Sequence, residues 1–131
     1  MAEGNLQTWV SLRRPVNHVV VANESTAIQG LAINAAGAVT ATATATLGFS
    51  EVNLPSPLPA AGEIVPMTIA MDGIVQGISA AAIANGDRLT VTTGGKLQPA
   101  ISEQFVIGRA MSVATAADQK VQVFITREGN V

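Results

Sequence analysis

The stretch that decides the fold is Leu89-Thr-Val-Thr-Thr93, Gly94-Gly95, Lys96-Leu-Gln98. Two short runs, rich in β-branched and apolar residues, flank a glycine pair that can supply the positive φ of a tight turn, so the stretch predicts a β-hairpin. Working outward, Val65-Pro-Met-Thr-Ile-Ala-Met71 and Val121-Gln-Val-Phe-Ile-Thr126 are further strand candidates. Pro66 belongs at a strand start or edge, because it has no N–H to give a ladder. Thr40 to Thr46 alternates Thr and Ala without a break. That period of two, with β-branched Thr, predicts a strand there as well. Ser79-Ala-Ala-Ala-Ile-Ala-Asn-Gly86 predicts one short helix, with Ser79 as N-cap and Gly86 as stop.

The hairpin belongs to a weak internal repeat. Ala27-Ile28, Gly30, Gly37, Val39, Leu47-Gly48, Val65, Ile69 and Gly73 have later counterparts in Ala82-Ile83, Gly86, Gly95, Leu97, Ile107-Gly108, Val121, Ile125 and Gly129. A proline connector, Asn53-Leu-Pro-Ser-Pro-Leu-Pro59, is extra in the first copy. The expectation is a mostly β domain over residues 24–131: a small barrel or sandwich of two repeat-like halves, 27–73 and 82–129. Short β segments with Gly turns also resemble one another by default. Residues 1–23 differ in kind, with Trp9, the pair Arg13-Arg14, Pro15, the only His and the apolar run Val19 to Ala22. They read as an extended N-terminal arm, with the first strand of the barrel and a frayed start as the alternative.

Composition narrows the function. The chain has 131 residues, 48% hydrophobic, 12% charged and 3% aromatic, with no cysteine. Much of the apolar fraction is Ala, whose small area yields little at roughly 25 cal/mol per Å². The core is therefore thin or completed by another chain. No apolar run approaches the length of a membrane span, and neither a basic start nor a long apolar segment marks a signal peptide. Zero cysteine leaves no disulfide framework and fits a reducing cytoplasm. A formal net charge of −2 with seven basic residues argues against nucleic-acid binding. The order of charges is uneven. Between Arg14 and Arg88 lie only acids, namely Glu24, Glu51, Glu63, Asp72 and Asp87, whereas residues from Arg88 onward carry a net formal +2. A head-to-tail contact between copies can use such asymmetry, and chance can also produce it.

No catalytic constellation emerges. Thr92-Thr-Gly-Gly-Lys96 lacks the first Gly and the final Ser or Thr of a phosphate loop. Gly77-Ile-Ser79 lacks the last Gly of a nucleophile elbow. His18 is the sole imidazole and reads as a polar residue of the arm. The acids are scattered singly, and no transition-metal or calcium ligand set forms. Trp9, Phe49, Phe105 and Phe124 are spaced as core rather than as a stacking platform. The expectation is no enzyme, no cofactor and no metal.

Four segments carry a family resemblance: Ala80-Ala-Ala-Ile-Ala-Asn-Gly-Asp87, Gly94-Gly-Lys-Leu-Gln-Pro-Ala100, Phe105-Val-Ile-Gly-Arg-Ala-Met111 and Ala116-Ala-Asp-Gln-Lys-Val-Gln-Val-Phe-Ile125. Together they resemble the bacteriophage capsid cement, or head decoration, family; the 27–73 half matches more loosely and the arm departs from the usual short start. The resemblance implies a small β-barrel-like structural protein of the virion. Made in the host cytoplasm, it would bind the major capsid protein on the outer surface of the head, often as a homotrimer, and stabilise the expanded shell against packaged DNA. Trp9, Leu12, Arg13 and Arg14 are the arm residues expected to touch the capsid or a neighbouring copy, Trp and Arg being enriched at binding hot spots. The alternative is a β-sandwich module of a phage tail or fibre that recognises a receptor or carbohydrate.

Overall fold

A computed structural model describes residues 12–131. The regular structure of the described chain is mostly β, in two antiparallel sheets. The first holds β1 (Arg13–Val19), β2 (Ala32–Asn34), β3 (Thr46–Ser50) and β4 (Ile64–Ala70) in the order β1-β4-β3-β2. The second holds β5 (Ile74–Ile78), β6 (Arg88–Thr92), β7 (Lys96–Pro99), β8 (Phe105–Ala110) and β9 (Lys120–Asn130) in the order β5-β9-β8-β6-β7. The arrangement is sandwich-like, not a closed barrel. β1 and β2, the edges of the first sheet, do not pair with each other, and β5 and β7 form no ladder, being linked by the isolated Ser79–Leu97 bridge just past the end of β5.

Strand order and register relate the two sheets as copies. Unit one runs β1-β4-β3-β2 and ends on Val39, which bridges to Ile33; unit two runs β5-β9-β8-β6 and ends on β7, where Pro99 faces Leu89. Hydrogen bonds repeat at equivalent places. Gly30 N donates to Ser50 O and Gly86 N to Ala110 O; Thr40 N donates to Ala32 O and Ala100 N to Arg88 O; Glu51 N donates to Thr68 O and Met111 N to Gln122 O. Ile33 faces Gly48 as Leu89 faces Gly108. Both of these glycines are required by close strand approach. A Cβ at Gly48 would lie 2.5 Å from Ala70 O, and one at Gly108 would lie 2.4 Å from Phe124 O. The register extends each unit N-terminally of the sequence reading, to 13–70 and 74–130, because β1 and β5 open them. It also pairs Ile69 with Val123 rather than Ile125, since both stand opposite the final residue of β3 or β8. That slip of two positions keeps the same face of the strand, which hides it from a period-two pattern.

Each unit has its own core. In unit one, Val16, Ile28, Ile33, Leu54, Met67 and Ile69 pack together, with Leu54 and Leu58 of the proline connector closing over the sheet. In unit two, Val75, Leu89, Val91, Leu97, Ile107, Val121 and Val123 pack together with Ile83 and Ala114 from the loops. Ala32, Ala43, Phe49 and Ala70 of unit one join this second cluster and tie the units. Arg127 adds a polar link, its guanidinium donating to Thr46 O at 2.8 Å and to Leu47 O at 2.7 Å.

Several expectations change. Residues 13–23 are not an arm apart from the domain: β1 pairs with β4 along its full length, and Val16, His18 and Val20 are buried. Leu12 and Val20 bond toward β4, through Met71 N to Leu12 O and Val20 N to Glu63 O. By alternation Pro15 therefore turns its missing N–H to the open edge. Pro66 sits opposite Asn17, beyond the last β3 pairing at Ile69, so it too removes no ladder bond. The Thr–Ala run is not a strand over residues 40–45; β3 begins only at its last residue, Thr46. Thr42 N bonds Thr40 Oγ1, and Thr46 Oγ1 donates to Thr42 O at 3.0 Å, around a 3-10 turn at Ala43–Ala45. Threonine hydroxyls here satisfy local backbone that a ladder would otherwise hold. Residues 79–86 form no helix. Ser79 Oγ donates to Ala116 O at 2.6 Å, and Ile83 is held by two backbone bonds to Ala114, which buries it in the core. Tertiary packing overrides the helix preference of alanine. The hairpin at 89–98 forms with the register Thr92–Lys96 to Leu89–Pro99.

Candidate interaction surface

The residues expected to bind lie at the start of β1. Trp9 falls outside the described residues. Leu12 is exposed, with its N–H bonded to the Asp72 carboxylate. Arg13 makes a forked ion pair with Glu51, its Nε at 2.8 and 2.9 Å and Nη2 at 2.8 Å. Arg14 is exposed on the next position of the strand. Strand alternation sends Arg13 and Arg14 to opposite faces, so these side chains do not converge on one point.

His18 is a buried structural residue, not a polar arm residue. Its Nδ1–H donates to Gly37 O at 2.7 Å, and Nε2 lies 2.6 Å from Glu24 Oε1. The second approach is off the direction of a hydrogen bond. Gly37 sits against β1 so closely that a Cβ would meet Asn17 O at 2.2 Å. The ring thus pins the turn after β2 onto β1. Asn34 Oδ1 shapes that turn by accepting from Ala36 N and Ala38 N.

Two apolar patches stand out on the surface. One lies at the far end of β1 and β4, where Val19 faces Ile64 and Val21 follows; they are 49%, 62% and 57% exposed. Glu63 precedes Ile64 and stands opposite Val20, so strand alternation sends its side chain to the other face. The second is a row across the outer face of unit two, Ile74–Phe124–Arg109–Arg88, with each residue opposite the next. Ile74 and Phe124 are 53% and 44% exposed, so Phe124 is not a core residue. Its signal was present in the sequence: Val121, Val123 and Ile125 take one phase of β9, and Phe124 shares the other with Lys120 and Gln122. Arg109 is bound by Glu128 through Nε to Oε2 at 2.7 Å and Nη2 to Oε1 at 2.8 Å. Bonds from Arg109 and Thr126 hold the Glu128 carboxyl at about 2, and the same contact raises Arg109.

Between the units runs an open groove of about 470 Å³, lined by Gln29, Leu31, Gln76, Ile78 and the Lys96–Asp118 ion pair, among others. Among the described residues no three His, Cys, Asp or Glu side chains gather as a metal site, and no helix is long and apolar enough to cross a membrane. No family model, curated protein or solved structure matches the chain.

Proposed function

We propose that this protein is a structural, non-catalytic component of a phage virion that binds the outer surface of the expanded head and stabilises it against packaged DNA. The observation that carries the reading is the pair of exposed apolar patches on sheet faces, one in each unit. They offer binding area on flat β surface. The four sequence segments that resemble capsid cement proteins lend support from another direction: all fall within unit two, as its entry turn, hairpin, β8 and β9. In this reading each contact with the major capsid protein is weak, and many copies spread over subunit boundaries stabilise the shell by linkage and effective concentration. The segment before β1 contributes through Trp9, with Leu12, Arg13 and Arg14 at the point where the chain enters the sheet.

Co-sedimentation with undecorated, expanded heads tests the reading. The intact protein should pellet with heads and raise the temperature at which they release DNA; failure of both overturns it. Removing residues 1–11 spares β1, unlike a deletion through Arg14. It should abolish pelleting while leaving thermal unfolding unchanged, and unaltered pelleting would take the arm out of the contact.

A further inference from the structure

The contact between the units leaves a groove along its rim. In unit one the row Arg13–Ala70–Phe49–Ala32 crosses the sheet, and Ala70, Phe49 and Ala32 are buried against unit two. The equivalent row in unit two, Ile74–Phe124–Arg109–Arg88, is exposed. Unit two brings charged side chains to one end of the groove. The Ser79–Leu97 bridge sets Lys96 beside the end of β5, the Asp118 N–H donates to Ser79 O at 2.7 Å, and Lys120 stands opposite Ile78. Lys96 pairs with Asp118, whereas Lys120 has no ion pair among the described residues. Asp118 holds a φ of 64°, a conformation that costs a non-glycine residue energy and gathers at ligand sites. Unit one supplies the other wall. Gln29 N donates to Asn53 Oδ1 at 3.0 Å, which fixes the turn before β2. Gly30 of that turn lets the walls approach: a Cβ there would lie 3.2 Å from Gln76 Nε2 and 3.1 Å from Ile78 Cγ1. A smaller space of about 140 Å³ shares Gln29 and Gln76 with the groove and reaches Glu51.

We infer that this groove binds an acidic carbohydrate chain. Its volume of about 470 Å³ falls among ligand sites of roughly 300–1,000 Å³. Gln29, Asn53 and Gln76 line it with side-chain amides that donate, and the two glutamine carbonyls and Asp118 can accept. That mixture matches hydroxyl groups, each of which both donates and accepts. Lys120 is the cation left without a carboxylate, and it selects an anionic group on the sugar through a charge-assisted hydrogen bond. Ala27, Leu31 and Ile78 add small or aliphatic surface for the C–H faces of a sugar ring, and no aromatic ring lines the groove. Without stacking, a neutral sugar is held by hydrogen bonds that compete with water, so charge decides the class of ligand. An acidic peptide offers carboxylates to Lys120 but no hydroxyls to satisfy Asp118 and the glutamine carbonyls. This binding is separate from attachment to heads, and its test needs no capsid, so failure of one leaves the other standing.

Titration of the isotope-labelled full chain, followed by nuclear magnetic resonance, provides that test. The probes are hexagalacturonate, neutral maltohexaose and hexaglutamate. Hexagalacturonate should saturably shift the side-chain amide signals of Gln29, Asn53 and Gln76 and the backbone signal of Lys120. Maltohexaose should bind the same residues about tenfold more weakly or worse, for want of the charge-assisted bond. Lys120→Ala should weaken hexagalacturonate about tenfold or more, the loss expected of a hydrogen bond to a charged group, and leave maltohexaose unchanged. Gln76→Glu sets a carboxylate in the groove and should weaken hexagalacturonate likewise, which keeps a second readout should the first variant fail to fold. Lys120 is exposed and Gln76 half-buried, and unchanged thermal unfolding confirms folded variants. Hexagalacturonate that shifts no groove residue, an affinity that both folded variants leave intact, or maltohexaose or hexaglutamate binding as tightly as hexagalacturonate would overturn the inference.

Discussion

Unit one and unit two share strand order, register and the glycines of the third strand, yet their surfaces and cores are finished differently. Unit two fills its inner face with Val, Leu and Ile from its own strands and adds Ile83 and Ala114 from loops. Unit one closes its inner face with Leu54 and Leu58 of the proline connector and spends its outer row on the contact with unit two. A duplicated β unit therefore leaves one row unpaired when it packs head to tail. That asymmetry links the fold to the interaction surface.

The shared glycines offer the strongest way to break the comparison. Gly108→Ala drives a Cβ into the Phe124 carbonyl, a backbone atom that cannot turn aside. The expected loss is about 3 kcal/mol or more in urea unfolding, at the upper end for overpacked sites, with Gly48→Ala comparable in the sister unit. A loss confined to one of the two would show that the units are not equally dependent on strand approach. Leu54→Ala sharpens the difference in how the cores are covered. Its side chain is 4% exposed, and truncation should cost about 2–5 kcal/mol in the same assay. The neighbouring half-buried Leu58→Ala should cost less.

Glu128→Gln has the smallest effect and is read by pH. In the folded chain the carboxyl is held near 2, whereas the unfolded chain protonates it in the ordinary range near 4.5. Between those values the unfolded state binds the proton first, so stability present above about 4.5 is lost as pH falls toward about 2. Glu128→Gln should remove that part of the acid slope and leave stability near neutrality little altered. A variant whose slope over this window matches the wild type would deny Glu128 any role in acid sensitivity.

Much of the fold was legible. The hairpin at 89–98 followed from Gly94-Gly95 between β-rich runs, and β4 and β9 from their period-two patterns. The pairing of Leu47-Gly48 with Ile107-Gly108 located the repeat. What misled was small-residue sequence. Ala and Thr at 40–46 carry alternation without enough apolar area to choose a ladder, and local hydroxyl bonds decide instead. The alanines at 80–84 favour a helix locally, but burial of Ile83 decides against one. His18 reads from sequence as a polar residue of the arm because its neighbours in the fold, Gly37 and Glu24, lie in turns that only the folded sheet brings alongside β1.

By itself, then, the sequence determined a cysteine-free, alanine-rich β chain with two related halves, uneven charge and few large side chains. Those properties are local or compositional: residue type, period and spacing. Tertiary structure decided that the halves pack head to tail, that residues 13–19 belong to the sheet, and that Phe124 stands outside while Phe49, from the equivalent row, is buried. Equivalent strand positions carry the same backbone register in both units. Their exposure depends on what lies across from them, and that is a relation between distant parts of the chain.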